Sequence, residues 1–180
     1  LDVVIFDSMG STEGSMGTSI SNRQTIDQDK TGKFQLSPTT RVYTDDGRAV
    51  KPGSGEVGLI CNGGMVPIGY YKDEKKSAET FKLIDGVRYS VTGDYATLEE
   101  DGTINLLGRG STCINSGGEK IYPEEVEEAI KTHEAVFDCL VVGVPDDRFG
   151  EGVAAVFSTD GGQAVEAEVI KKYVRSLLAD

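Results

Sequence analysis

An Asp-Gly pair between two β-prone runs constrains this chain more than any other feature. Residues 95–98 (YATL) and 103–107 (TINLL) flank Glu99-Glu100-Asp101-Gly102. Such a pair is a strong hairpin signal, because Asp and Gly tolerate the backbone angles of a tight turn. Asp94 and Arg109 lie just outside the two arms, so the hairpin brings them to one open end. Glycines mark both places, in Thr92-Gly93-Asp94 and in Gly108-Arg109-Gly110. A carboxylate can accept hydrogen bonds from two vicinal hydroxyls, as acids do on the ribose of dinucleotides. An arginine beside it presents a rigid fork of donors to phosphate or ribose oxygens. An ordinary ion pair at a strand edge fits the same spacing equally well.

Upstream, residues 3–6 (VVIF) predict a buried strand, ending near Asp7-Ser8-Met9-Gly10. The polar loop that follows carries Thr12 and Glu13. Thr12 and neighbouring backbone N–H groups suit a phosphate, and Glu13 suits a Mg²⁺ bridging phosphates. A solvated surface loop has the same composition. Residues 19–31 are polar and aperiodic, which predicts a surface excursion. A second hairpin is expected around Asp45-Asp46-Gly47, a strand over 56–61, and a short charged helix over 73–81. Residues 34–107 therefore read as a small β-barrel-like or sandwich unit.

The pattern changes at Gly108-Arg109-Gly110-Ser111. Glycines on both sides of an arginine permit large backbone rotations, as at a hinge; a plain turn is the alternative. A strand is expected from residue 112. Gly117-Gly118 can admit a ligand backbone closely, or simply make a tight turn. Pro123-Glu124-Glu125 opens a helix, with proline first and acids in the first turn. Its apolar face is Val126, Ala129, Ile130 and His133. Residues 140–144 and 153–157 predict central strands. A last helix carries an apolar stripe of Val169, Ile170, Tyr173, Val174, Leu177 and Leu178. The fold class expected is α+β: a β-barrel-like subdomain over 1–108, a hinge at 109–111, and a small α+β domain over 112–180.

The net charge is −12, from 18 basic and 30 acidic residues. That balance argues against broad contact with nucleic acid or anionic membranes. No apolar run approaches the ~20 residues of a membrane span. The chain begins without Met in an apolar run that lacks the basic start of a secretory leader, so a piece of a longer cytoplasmic protein is expected. Cys61, Cys113 and Cys139 are widely spaced, with no CxxC, and read as reduced core thiols. The lone His133 has no second histidine for a metal site or a triad.

Taken together, TGD, the hairpin and GRGSTCINSGGEKIYPEEVEEAI resemble the adenylate-forming superfamily: acyl-CoA synthetases, peptide-synthetase adenylation domains and luciferases. Three further segments agree, in the family's order. Gly10-Ser11-Thr12-Glu13-Gly14 resembles its nucleotide loop, Gly55-Glu56-Val57 to Gly69-Tyr70-Tyr71 its GE(L/V)…GY segment, and Val141-Val142-Gly143-Val144-Pro145-Asp146 to Gly150-Glu151 its VxGxPDxxxGE segment. The GRGS…INSGGEK form looks most like ligases for fatty or bulky carboxylic acids. Met9, Ser111 and Asn115 depart from the usual pattern, standing where many members carry an aromatic residue, an acid or lysine, and a lysine.

The resemblance implies the C-terminal part of a fatty-acid–CoA ligase that uses ATP and Mg²⁺ to form acyl-AMP and then passes the acyl group to CoA. It assigns Asp94 to the ribose and Arg109 to the ribose or α-phosphate. Thr12 goes to phosphate and Glu13 to the metal, so Thr12, Glu13 and Arg109 serve catalysis. Gly117 and Gly118 go to the pantetheine channel of CoA. Residues 1–108 would close a large AMP-binding domain, and 112–180 would be a small domain that ends before the family's lysine segment. No STGxxGxPK-like phosphate loop and no PKTxxGK-like segment occurs among the 180 residues. The chain by itself is therefore expected to be inactive. The alternatives are a ligase that loads a carrier-protein thiol and a non-catalytic nucleotide-binding module.

Overall fold

The computed structural model describes residues 3–24, 33–159 and 165–178. Two compact units divide the chain, Leu1–Leu107 and Gly108–Asp180. Both are built largely from antiparallel strands with a few helices.

The first unit contains β1 (Val4–Ser11), β2 (Gly14–Asn22), β3 (Lys33–Leu36), β4 (Thr40–Tyr43), β5 (Val57–Asn62), α1 (Glu74–Thr80), β6 (Phe81–Ile84), β7 (Val87–Leu98) and β8 (Thr103–Arg109), whose last two residues enter the second unit. One sheet runs β1-β2-β3-β8-β7-β5-β4, with β6 added on β7. The sheet curls so that Met16, Val42, Val50, Ile60, Ala96 and Ile104 from five strands and a loop close on one core. The Asp101-Gly102 hairpin forms as its sequence dictates: Glu99 N–H donates to Thr103 O and Gly102 N–H to Glu99 O. The 45–47 turn forms too, although its second arm is reduced to a bridge between Tyr43 and Ala49. Asp73 caps α1 by accepting from the Lys76 N–H at 2.9 Å, which supplies one of the donors a helix start leaves open.

β1 differs from its expectation. The apolar run predicts burial, yet Val4 is 62% and Phe6 66% exposed. β1 pairs with β2 alone at the sheet edge; residues 4–8 are exposed, and Met9 further along packs against the core. Residues 19–22 also differ: they continue β2 rather than leaving the sheet. The rest of that expected excursion, 25–31, lies outside the described residues.

The second unit contains β9 (Ile114–Ser116), β10 (Glu119–Ile121), α2 (Pro123–Lys131), β11 (Val136–Asp146), β12 (Gly150–Thr159) and α3 (Ala167–Leu178). Its sheet runs β10-β9-β12-β11. Ile114, Ile130, Val136, Cys139, Val141 and Ile170 form the core between sheet and helices. The Glu127 carboxylate on α2 accepts the Val141 N–H at 2.8 Å and ties the helix to β11. β11 is an edge strand rather than a central one, and its outward Leu140 faces Val156 across the ladder with both exposed. The α3 stripe is likewise narrower than its sequence implies: Ile170 is buried and Val174 packs beneath it, whereas Val169, Leu177 and Leu178 are open. His133 falls just past α2 and stacks edge-on against Tyr173, 5.0 Å between centroids. No helix among the described residues is long and apolar enough to cross a membrane.

Candidate functional site

Thr12 and Glu13 form the two-residue turn between β1 and β2, where Ser11 pairs with Gly14. Thr12 is exposed and Glu13 half-buried. The Glu13 N–H donates to Ser11 Oγ at 3.2 Å. Gly14 has φ +147° and lies against the Asn62 side chain of β5, so any larger residue there would collide with that amide. The turn is thus seated on the sheet by a close approach that requires glycine.

The Glu13 carboxylate does not hang free in solvent. Tyr70 donates its hydroxyl to Glu13 Oε1. That bond is the main reason the Glu13 carboxyl titrates below its ordinary range, with Ser11 next. The same bond is the main cause of the raised Tyr70 phenol. The two directions agree with a neutral phenol donating to an ionised carboxylate.

Asp94 sits in β7 at an interruption of the ladder. Leu59 pairs with Tyr95 and Cys61 with Val91, so Ile60 alone stands opposite residues 92–94. Thr92-Gly93-Asp94 is therefore a β-bulge. Its middle residue has φ +91°, and a Cβ there would meet nothing within 4 Å, so backbone angle rather than crowding calls for glycine. Thr92 Oγ1 donates to Asp94 Oδ2 at 2.5 Å and holds the carboxylate in place. Bulges bend a strand and re-aim side chains, and they recur beside active sites.

Arg109 ends β8 and is exposed. Its carbonyl accepts from the Thr112 N–H at 3.1 Å and from Thr112 Oγ1 at 2.8 Å, which closes a turn over 109–112. The strand expected from residue 112 consequently starts two residues later, at Ile114. Gly108 has φ +130° and lies against the Glu124 carboxylate.

Gly117 and Gly118, with φ +62° and +96°, make the turn between β9 and β10. The segment before β12 buttresses it. Gly117 N–H donates to Phe149 O at 2.8 Å, and the Phe149 ring lies against Gly117 so that a Cβ would come within 3.1 Å of it. Asn115 N–H donates to Glu151 Oε2 at 2.7 Å, and Gly118 N–H to Asn115 Oδ1 at 3.2 Å. The position a Cβ of Gly118 would fill is open to 4 Å.

Of the residues singled out from sequence, Thr12, Glu13 and Asp94 lie in the first unit, and Arg109, Gly117 and Gly118 in the second. Tyr70, Asn62, Phe149 and Glu151 escaped the sequence reading as supports. Tyr70 and Glu151 had a usable signal, as residues of the Gly69-Tyr70 and Gly150-Glu151 motifs; Asn62 and Phe149 had none.

This architecture agrees with sequence comparison. Residues 125–180 match the model of the AMP-binding enzyme C-terminal domain. The chain is thus similar to AMP-binding enzymes through that domain, and to fatty-acid–CoA ligases over part of their length. Over 179 residues it is 54% identical to a medium/long-chain-fatty-acid–CoA/3-oxocholest-4-en-26-oate–CoA ligase of Mycobacterium tuberculosis, covering 98% of this chain and 32% of that protein. It is 51% identical over 178 residues to a 3-oxocholest-4-en-26-oate–CoA ligase of Rhodococcus rhodochrous, with the same coverages. The chain thus spans about a third of the length of these curated relatives. Among solved structures, ATP-bound MatB of Rhodopseudomonas palustris is similar with a TM-score of 0.79 at 27% identity, over 98% of this chain and 34% of that one.

Proposed function

We propose that this chain serves an ATP-dependent, AMP-forming acid–CoA ligase acting on fatty or bulky carboxylic acids. The observation that carries the reading is the 54% identity, over nearly the whole chain, to a protein named as such a ligase. The β-bulge at Thr92-Gly93-Asp94 supports it, because that geometry displays a carboxylate out of the ladder line.

In this reading residues 1–108 close the large AMP-binding domain, 109–111 are the hinge, and 112–180 are the small domain. A substrate carboxylate oxygen attacks the α-phosphorus of ATP, and pyrophosphate departs with the bonding pair. The CoA thiol then attacks the acyl carbon, loses its proton to solvent, and AMP departs. Asp94 accepts hydrogen bonds from the ribose hydroxyls, and Arg109 meets the ribose or α-phosphate oxygens. Thr12 contacts phosphate. Rotation at the hinge presents Gly117 and Gly118 to the pantetheine arm, where the open side of Gly118 leaves room.

Magnesium in nucleotide sites is held by one or two carboxylates plus substrate phosphates. Glu13 fits that pattern as one ionised, half-buried oxygen ligand. Glu13 would hold the ion together with phosphate oxygens of the substrate, since among the described residues it stands in no cluster of three or more His, Cys, Asp or Glu. When bound, Mg²⁺ neutralises charge on the phosphates. The free cysteines suit a cytoplasmic location.

The test is product analysis. The whole protein that carries this chain, given a medium- or long-chain fatty acid, ATP and CoA, should release AMP and acyl-CoA in equal amounts. Release of ADP, or AMP without acyl-CoA, counts against the reading. The 180-residue chain alone should give no pyrophosphate exchange.

A further inference from the structure

We infer that Tyr70 is a positioning residue for the phosphate side of the site: it fixes the Glu13 carboxylate through its hydroxyl, on a bracket supplied by α1. The inference rests on the role of Glu13 proposed above.

The geometry around Tyr70 is over-determined. Its backbone N–H donates to Ser77 Oγ at 2.7 Å, and Ser77 Oγ donates in turn to the Asp73 carbonyl at 2.6 Å. Gly69 lies so near Ser77 that a Cβ would sit 3.0 Å from Ser77 Oγ. A side chain at 69 would crowd the Ser77 hydroxyl, so glycine lets the 69–70 backbone reach α1 without displacing it. The turn over 70–73 closes through Asp73 N–H to Tyr70 O at 3.3 Å, with Lys72 held at φ +56°. A non-glycine residue in that region persists where surrounding contacts enforce it, often beside a functional group.

The ring is fixed as well. It packs against Phe81 at 5.2 Å between centroids, and the Lys76 ammonium lies 4.9 Å from its centre. Backbone and ring are thus held by α1 and β6, while the hydroxyl reaches 57 residues back along the chain to Glu13. Glu13 itself stands on a two-residue turn, whose side chain would otherwise choose among several rotamers. Freezing a ligand's rotamer before its partner arrives removes ordering cost from the binding step. One carboxylate oxygen is committed to Tyr70, which aims the rest of the group. Packing alone would not need the hydroxyl: a phenylalanine would keep the contacts to Phe81 and Lys76.

The test uses Tyr70→Phe in the whole protein, with two ligands that separate the metal side from the sugar side. AMP without metal reports the ribose and adenosine contacts; ATP with Mn²⁺ reports the metal-bridged phosphates, and metal affinity is read directly by electron paramagnetic resonance. Tyr70→Phe should weaken Mn²⁺ binding to the ATP complex on the order of tenfold, the scale for losing a hydrogen bond to a charged group. It should leave AMP affinity and the melting temperature near wild type. The KM for metal–ATP in pyrophosphate exchange should rise by a similar factor. Ser77→Ala, which frees the Tyr70 backbone, should move the same quantities in the same direction, and it decides the matter if Tyr70→Phe does not fold. Unchanged Mn²⁺ affinity in folded Tyr70→Phe, or an equal loss for AMP and metal–ATP, overturns the inference. Glu13→Gln separates the two levels. If it weakens Mn²⁺ binding while Tyr70→Phe does not, only the role of Tyr70 falls. If it has no effect, the role proposed for Glu13 falls.

Discussion

Gly108 begins the second unit, and replacing it with alanine has a cost that can be apportioned. Two terms oppose the substitution. The backbone stands at φ +130°, where a side chain costs roughly 1–3 kcal/mol. The new methyl would also collide with the Glu124 carboxylate. The second term is the smaller, because that carboxylate ends a flexible side chain. Moreover, Glu124 Oε2 is buried with no hydrogen-bond partner. Rotating it into water recovers the penalty of an unsatisfied acceptor, about 1–3 kcal/mol. The backbone term therefore sets the outcome. For a unit of this size, a loss of 1–3 kcal/mol lowers the melting temperature by roughly 5–20 °C. Calorimetry on Gly108→Ala, Glu124→Ala and the double variant separates the terms. Glu124→Ala alone should be neutral or mildly stabilising, since relief of the orphaned oxygen outweighs about 0.3–1 kcal/mol of favourable charge at the α2 N-terminus. The double variant should stay well below wild type. Full recovery in the double variant would mean that the clash, not φ, sets the cost, and a Gly108→Ala protein as stable as wild type would refute both terms.

Other expectations follow from the same kind of reasoning. Gly58→Ala places a Cβ 2.7 Å from the Tyr43 carbonyl and 2.8 Å from methyls of Val42 and Val50. Backbone cannot rotate away, so a loss of about 1–3 kcal/mol in urea unfolding is expected. Burial pushes the Cys61 thiol up to about 12 and raises the Cys113 and Cys139 thiols too, but Cys61 and Cys139 are buried whereas Cys113 is only half-buried. Alkylation of native protein at pH 8 should reach Cys113 first, as peptide mapping will report. The Asp101 carboxyl is held down to about 2, chiefly by the Thr103 hydroxyl, then by its N–H and by Lys33. A lowered folded value adds stability above about pH 4 that disappears as pH falls through 2. The melting-temperature gap between wild type and Asp101→Asn should narrow over that interval.

Much of the first unit was legible because its signals are local. Asp101-Gly102 dictates a turn whatever surrounds it, and Asp73 followed by a charged run marks a helix start. Pro123 with two acids behind it fixes the start of α2 for the same reason. What the sequence hid depends on partners distant along the chain. Nothing in VVIF tells that β1 would end a sheet with its first five residues exposed. The apolar residues of β11 match a central strand, yet its position at the edge follows from sheet order. The Thr92-Gly93-Asp94 motif was visible as chemistry but not as a bulge, because a bulge exists only relative to the register of β5. Tyr70 was visible as a motif residue; its bond to Glu13 was not, since 57 intervening residues must fold before the two groups meet.

The most direct measurement is AMP binding by the whole protein with and without the Asp94 carboxylate. Calorimetric titration of Asp94→Ala should show affinity reduced by about 1–3 kcal/mol, the cost of losing hydrogen bonds to a charged acceptor, while the protein melts near the wild-type temperature. Undiminished AMP affinity would contradict the assignment of the bulge to the ribose.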